Sequence, residues 1–165
     1  MTIKQLARDV IEKATVEGVM IATAESCTGG LIAAALTDIP GSSAALDCGF
    51  VTYSNDAKTT MLGVPAGLIA QKGAVCAAVA RAMADGALSR SLADISVAVT
   101  GVAGPAGGTQ DKPVGLVHIA VRQRGREPIE KKCLFQEQHP NADRATIRAL
   151  TVETALQMML LEIGG

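Results

Sequence analysis

Aromatic residues are nearly missing from this chain. Its 165 residues include no Trp, one Tyr (Tyr53) and two Phe (Phe50 and Phe135). Sites that hold a cofactor or a nucleobase by stacking on several rings need more than that, so no cofactor of that kind is expected. Histidine is almost as scarce, with only His118 and His139. The four cysteines, Cys27, Cys48, Cys76 and Cys133, form no CxxC pair. No zinc ligand set has the usual spacing, so no metal site is expected. The thiols read as free, mostly buried side chains in a reducing cytoplasm. An excess of positive charge is missing too: 15 Lys and Arg face 16 Asp and Glu, for a net charge of -1. That balance leaves no basic footprint for nucleic acid. No apolar run approaches the ~20 residues of a membrane span. The opening "MTIKQLARDV" is polar and periodic, unlike a signal peptide, so a cytoplasmic location is expected.

What is present is small and aliphatic. Hydrophobic residues make up 48% of the chain, enough for one compact domain over residues 1–165. Abundant Gly and Ala suggest close helix-to-sheet packing. Helical spacing of Ile3, Leu6, Ala7, Val10, Ile11 and Ala14 predicts a first helix over residues 2–17, with Thr2 as its cap. "GVMIATAES", "CGFVTYS", "ADISVAVTG" and "GLVHIAVR" read as strands, and "REPIEKKCLFQ" as the hairpin partner of the last. Helices are predicted after "CTGG", from Asn55 as cap, at "AGLIAQKG", over "GAVCAAVARAMADGALSRS" with Gly86 as a weak point, and from Asn141 to Ile163. The apolar face of that last helix reads as Ala145, Ala149, Val152, Leu156, Met159 or Leu160, and Ile163. Early strand–helix alternation and a late hairpin predict an α/β fold, a three-layer α/β/α sandwich with a mixed, mostly parallel central sheet.

Four stretches carry chemistry. In "TAESCTGG" (23–30), the turn at Gly29-Gly30 opens a helix, whose free amides and dipole attract an anion. Ser26 and Thr28 add hydroxyls there. The alternative is that the glycines only permit tight packing. Glu25 reads as a structural carboxylate rather than a general base. In "VTGVAGPAGG" (99–108), a Gly-rich loop leaves a strand end, where open α/β sheets bind ligands, and Thr100 is the side chain best placed to face it. In "GSSAALDCGFVTYSNDAK" (41–58), Ser42 and Ser43 sit at a turn. A serine needs a base, and with no GxSxG elbow and so little histidine a neutral lysine, Lys58, is the other option. Spacing alone reads Lys58 as a solvated helix residue, Tyr53 as a partly buried core ring, and Ser42 and Ser43 as turn residues. In "HPNADRATIRAL" (139–150), Arg144 and Arg148 lie four apart at a helix start, where arginine opposes the dipole and suits an anionic partner.

Together "TAESCTGGLIAAALTDIPGSSA", "GFVTYSNDAK", "LGVP", "VAVTGVAGPAGGTQDKPVGLVHIAV" and the late arginine helix resemble the C-terminal domain of CinA proteins over nearly the whole chain. Stand-alone copies of that domain are nicotinamide mononucleotide deamidases. The resemblance implies an amidohydrolase that converts nicotinamide mononucleotide and water to nicotinic acid mononucleotide and ammonia, with a serine nucleophile and a lysine base. Carried over residue by residue, it implies Ser43 as nucleophile with Tyr53 and Lys58. It implies a pocket lined by Ser26, Thr100 and, near the last helix start, Arg144. Thr28, Gly29, Gly30 and Gly101 complete the expected substrate-binding set, with the Gly29-Gly30 turn and Arg144 as anchors for the substrate phosphate. A homodimer is expected, since related domains often pair. The alternatives are a nucleotide- or phosphate-binding module without turnover, and an amidase of another pyridine or nucleoside amide.

Overall fold

A computed structural model describes residues 1–165. Its elements, in chain order, are α1 (Ile3–Glu17), β1 (Ile21–Glu25), α2 (Leu31–Thr37), β2 (Leu46–Val51), α3 (Asn55–Leu62), α4 (Ala66–Lys72), α5 (Ala77–Ser89), β3 (Ile95–Gly101), β4 (Leu116–Gln123), β5 (Ile129–Leu134), α6 (Phe135–Gln138) and α7 (Arg144–Glu162). The five strands form one sheet in the order β2-β1-β3-β4-β5. β1 pairs in parallel with β2 and β3, whereas β4 is antiparallel to both β3 and β5. Four of the five strands therefore run the same way, giving a mixed sheet between two helical layers.

Period-2 alternation sorts the strands' side chains by size as well as polarity. One face presents Ile21, Ile95, Val97, Val99, Val117, Ile119 and Val121, packed with α1, α2 and α7. The other presents Ala22, Ala24, Ala98 and Ala120, packed with α3, α4 and α5. The alanine floor lets α5 approach closely. The same economy recurs at Gly86, where an added Cβ would collide with the Leu62 carbonyl. Gly86 is thus a contact point inside an unbroken helix, not the weak point its propensity suggests.

Several boundaries differ from the sequence reading for identifiable reasons. Ser54, not Asn55, caps α3, its side chain accepting from the Ala57 amide at 3.0 Å. Asp143 caps α7 through the Thr146 amide at 2.8 Å, so that helix starts at Arg144. Ala145 and Ala149 face solvent, and the first buried position of α7 is Ile147. α6 was not foreseen; its single turn buries Phe135. No helix is long and apolar enough to cross a membrane.

β1 sits between β2 and β3, so the chain leaves β1 to one side and returns past it to the other. That is a topological switch point, and ligands in open α/β sheets bind beyond the strand carboxyl ends there. The segments after β1, β2 and β3, the loop 102–115 and the start of α7 all meet at this end.

Candidate active site

The last residue of β1, Glu25, is fully buried and fully satisfied. Its carboxylate accepts from Thr28 Oγ1 at 2.6 Å, Thr23 Oγ1 at 3.2 Å, and the Ile32 and Ala33 amides at 2.8 and 3.0 Å. It therefore occupies the start of α2 as an internal anion. This overturns the expected phosphate anchor: the amides opened by Gly29-Gly30 already have their negative charge. Thr28 is buried with its hydroxyl committed to Glu25. Thr28, Gly29 and Gly30 do not line the cavity at the switch point.

The cavity measures about 300 Å³ and brings Ser26, Tyr53, Lys58, Thr100, Gly101 and Arg144 together. Cys27, Asn55, Val75 and the loop residues Gly104, Ala106 and Gly107 complete much of the wall. Ser26 follows β1 directly, its amide held by the Val99 carbonyl of the neighbouring strand at 3.1 Å. Lys58 reaches the same place from the first turn of α3 and is 1% exposed. Its Nζ lies 2.9 Å from Ser26 Oγ, 2.9 Å from the Thr52 carbonyl and 3.5 Å from the Tyr53 carbonyl. The chain's ion pairs, Arg81–Glu130 and Arg122–Asp85, do not include it. With no carboxylate to offset its desolvation, burial lowers the Lys58 pKa from the ordinary lysine value. A neutral amine keeps two N–H bonds for the two carbonyls and one lone pair for the Ser26 hydroxyl, which satisfies every group present.

Ser43 is not part of this arrangement. It is exposed, in a single 3-10 turn (Ser42–Ala44) that precedes β2. Ala45, two residues on, accepts from the amide of Ile21 at the first residue of β1. Ser43 thus lies at the amino ends of the parallel strands. The six residues of β2 separate it from Lys58, a span of roughly 20 Å at about 3.3 Å per residue. The serine beside the lysine is Ser26. The signal for it was available: Ser26 and Lys58 both follow carboxyl ends of adjacent parallel strands, whereas Ser43 and Lys58 flank opposite ends of one.

The remaining groups divide cleanly. Arg144 donates to the Tyr53 hydroxyl at 2.9 Å and to the Gly104 carbonyl at 2.7 Å, so it spans the cavity mouth. Tyr53 is exposed rather than a core ring. Thr100 lines the cavity but gives its hydroxyl to the Ala74 carbonyl at 2.9 Å. Arg148 does not line the cavity; it bonds the backbone of Cys27 and Thr28. Cys27 is no rival nucleophile, because burial pushes its thiol up to about 11. Its backbone amide, beside Ser26, donates to no backbone carbonyl and to no other residue's side chain; its own thiol is the one acceptor within reach. Asn55 and Cys27 were not singled out as site residues from the sequence, since neither type in isolation signals a pocket.

Fold and site together define a three-layer α/β domain with a buried serine–lysine pair at its switch point. The CinA C-terminal domain family matches residues 3–163, and the chain belongs to that family. A CinA-like protein of Akkermansia muciniphila is 47% identical over 155 residues, 91% of this chain and 36% of that protein. One of Geobacter metallireducens is 50% identical over 142 residues, 86% of this chain and 33% of that protein. The chain thus spans about a third of the length of these curated relatives. The crystal structure of competence/damage inducible protein CihA from Agrobacterium tumefaciens superposes with a TM-score of 0.92 at 51% identity, covering 96% of this chain and 94% of that one. Competence damage-inducible protein A (ComA) from Klebsiella pneumoniae gives 0.91 at 36% identity, covering 98% and 97%.

Proposed function

We propose that this domain is a serine amidohydrolase that deamidates nicotinamide mononucleotide, with Ser26 as nucleophile and neutral Lys58 as base. The observation that carries the reading is the 2.9 Å contact between a buried, carboxylate-free Lys58 and Ser26. Lys58 takes the Ser26 proton as Oγ attacks the carboxamide carbon. The Cys27 amide, which no carbonyl takes, is the first candidate donor to the resulting oxyanion, a contribution of about 3 kcal/mol for one such donor. Lys58 returns its proton to the departing ammonia, and the same roles run in reverse when water releases the acid from Ser26.

The substrate's charges suit the site. Its pyridinium ring would be repelled by a protonated lysine, and burial here favours the neutral form. Its phosphate needs a cation at a distance from the reacting carbon, and Arg144 at the mouth supplies it. The test is ammonia release from nicotinamide mononucleotide, with and without a chelator, by the wild type and Ser26→Ala. Chelator-resistant release that disappears in Ser26→Ala is expected. Release that persists in Ser26→Ala removes the serine from the mechanism.

A further inference from the structure

Arg148 lines not the serine–lysine cavity but a neighbouring one of about 510 Å³ that shares Ala103 and Arg144 with it, and it grips the turn that presents Ser26. Its Nε donates to the Cys27 carbonyl at 3.0 Å and its Nη2 to the Thr28 carbonyl at 3.0 Å. Both residues directly follow the serine. The turn is held from its other side by the Thr28 hydroxyl on Glu25 at 2.6 Å and closed by the Gly29 amide on the Ser26 carbonyl at 3.1 Å. In a trans peptide the N–H and C=O point in opposite directions. The Ser26 carbonyl is turned inward to Gly29, so the Cys27 N–H of the same peptide unit is turned outward. Cys27 itself lines the cavity. Two carbonyls three bonds apart suit the planar guanidinium fork, which an ammonium group cannot reproduce.

We propose that Arg148 is a positioning residue. By holding the Cys27 and Thr28 carbonyls, it sets the turn so that Ser26 Oγ meets Lys58 Nζ while the Cys27 amide faces the developing oxyanion. Arg148 takes no proton and touches no substrate. The inference rests on the serine–lysine reading above.

The test compares Arg148→Met and Arg148→Lys with the wild type by two readouts. One is deamidation kinetics on nicotinamide mononucleotide. The other is the rate at which a fluorophosphonate labels Ser26: the Oγ–P bond forms, the P–F bond breaks, fluoride leaves and Lys58 takes the serine proton. Arg148→Met is expected to lower kcat by about 10²-fold, the cost of one misplaced oxyanion donor, with KM little changed. Labelling should slow as well, Arg148→Lys should recover little, and added guanidinium ion should restore part of both rates. An unchanged kcat, or a raised KM with kcat intact, overturns the inference. So does a loss that guanidinium leaves unrestored. A wild type that is labelled but releases no ammonia overturns the substrate alone, and the labelling rates then decide the role of Arg148. A wild type that resists labelling overturns the serine–lysine pair and this inference with it.

Discussion

Lys58 Nζ and Ser26 Oγ lie 2.9 Å apart although 32 positions separate them in the chain. One comes from the exit of β1 and the other from the first turn of the helix after β2. The contact follows from parallel pairing, because Glu25 lies opposite Val51 in the register and brings the two exits side by side.

The first prediction separates two serines. Ser26→Ala should lose essentially all ammonia release from nicotinamide mononucleotide, while Ser43→Ala, at the opposite end of the sheet, should retain wild-type kcat and KM. Steady-state assays of the two variants side by side decide it. Loss of turnover in Ser43→Ala alone would reverse the assignment.

The lysine predicts two pH effects of related origin. Activity should rise as pH passes the folded Lys58 value, which burial places below the ordinary 10.5, and Lys58→Arg should be inactive throughout because its guanidinium keeps its proton. Stability moves the same way. Between the folded value and 10.5 the unfolded chain binds more protons at this position, so stability rises with pH across that window, and the full cost of the buried charge is present below it. Urea melts of wild type and Lys58→Met should therefore differ most in favour of the variant at low pH and converge as pH approaches 10.5. Curves that stay parallel would deny the desolvated lysine.

Much of this could be read along the chain, and each failure has its own physical cause. The elements followed from periodicity, and the two Gly-rich turns marked strand exits. Ser43 was expected from the family resemblance alone, since by spacing Ser42 and Ser43 read as turn residues. Closeness along a strand is distance in space, and a β-strand carries its two flanks to opposite ends of the sheet. Gly29-Gly30 looked like an anion cradle because free amides can be inferred from a helix start, whereas the carboxylate that fills them must be seen. Arg144 and Arg148 were indistinguishable in sequence; a one-turn offset on α7 aims one at the cavity mouth and the other at a pair of carbonyls.

Arg144 should act on binding more than on chemistry. Arg144→Ala is expected to raise KM for nicotinamide mononucleotide more than it lowers kcat, and to matter less for the riboside that lacks the phosphate. Tyr53→Phe removes one exposed hydrogen bond, worth about 1 kcal/mol, and should cost under ~tenfold in kcat/KM. Equal losses on both substrates in Arg144→Ala would place the phosphate elsewhere.

Glu25→Gln should destabilise the fold. A carboxylate accepts from four donors at this position, and an amide turns one of its ends into a donor facing donors. The expected loss is about 2 kcal/mol or more in denaturant unfolding. An unchanged midpoint would mean that the start of α2 relaxes without its anion.

Gly86→Ala tests close packing against propensity. Alanine favours a helix interior by about 1 kcal/mol over glycine. Its Cβ here meets the Leu62 carbonyl, and such overpacking costs about 1–3 kcal/mol. A lowered melting temperature is expected, and a raised one would show that α5 can retreat from α3.

The Glu25 carboxylate also closes a ring of backbone from residue 25 to the amide of Ala33. A ring has one length. Inserting or deleting a single residue between them would swing Ser26 off Lys58 or pull the carboxylate from the helix start. Circular permutation or loop grafting should therefore succeed in the hairpin turn between β4 and β5 and fail in this nine-residue segment, which behaves as one indivisible part.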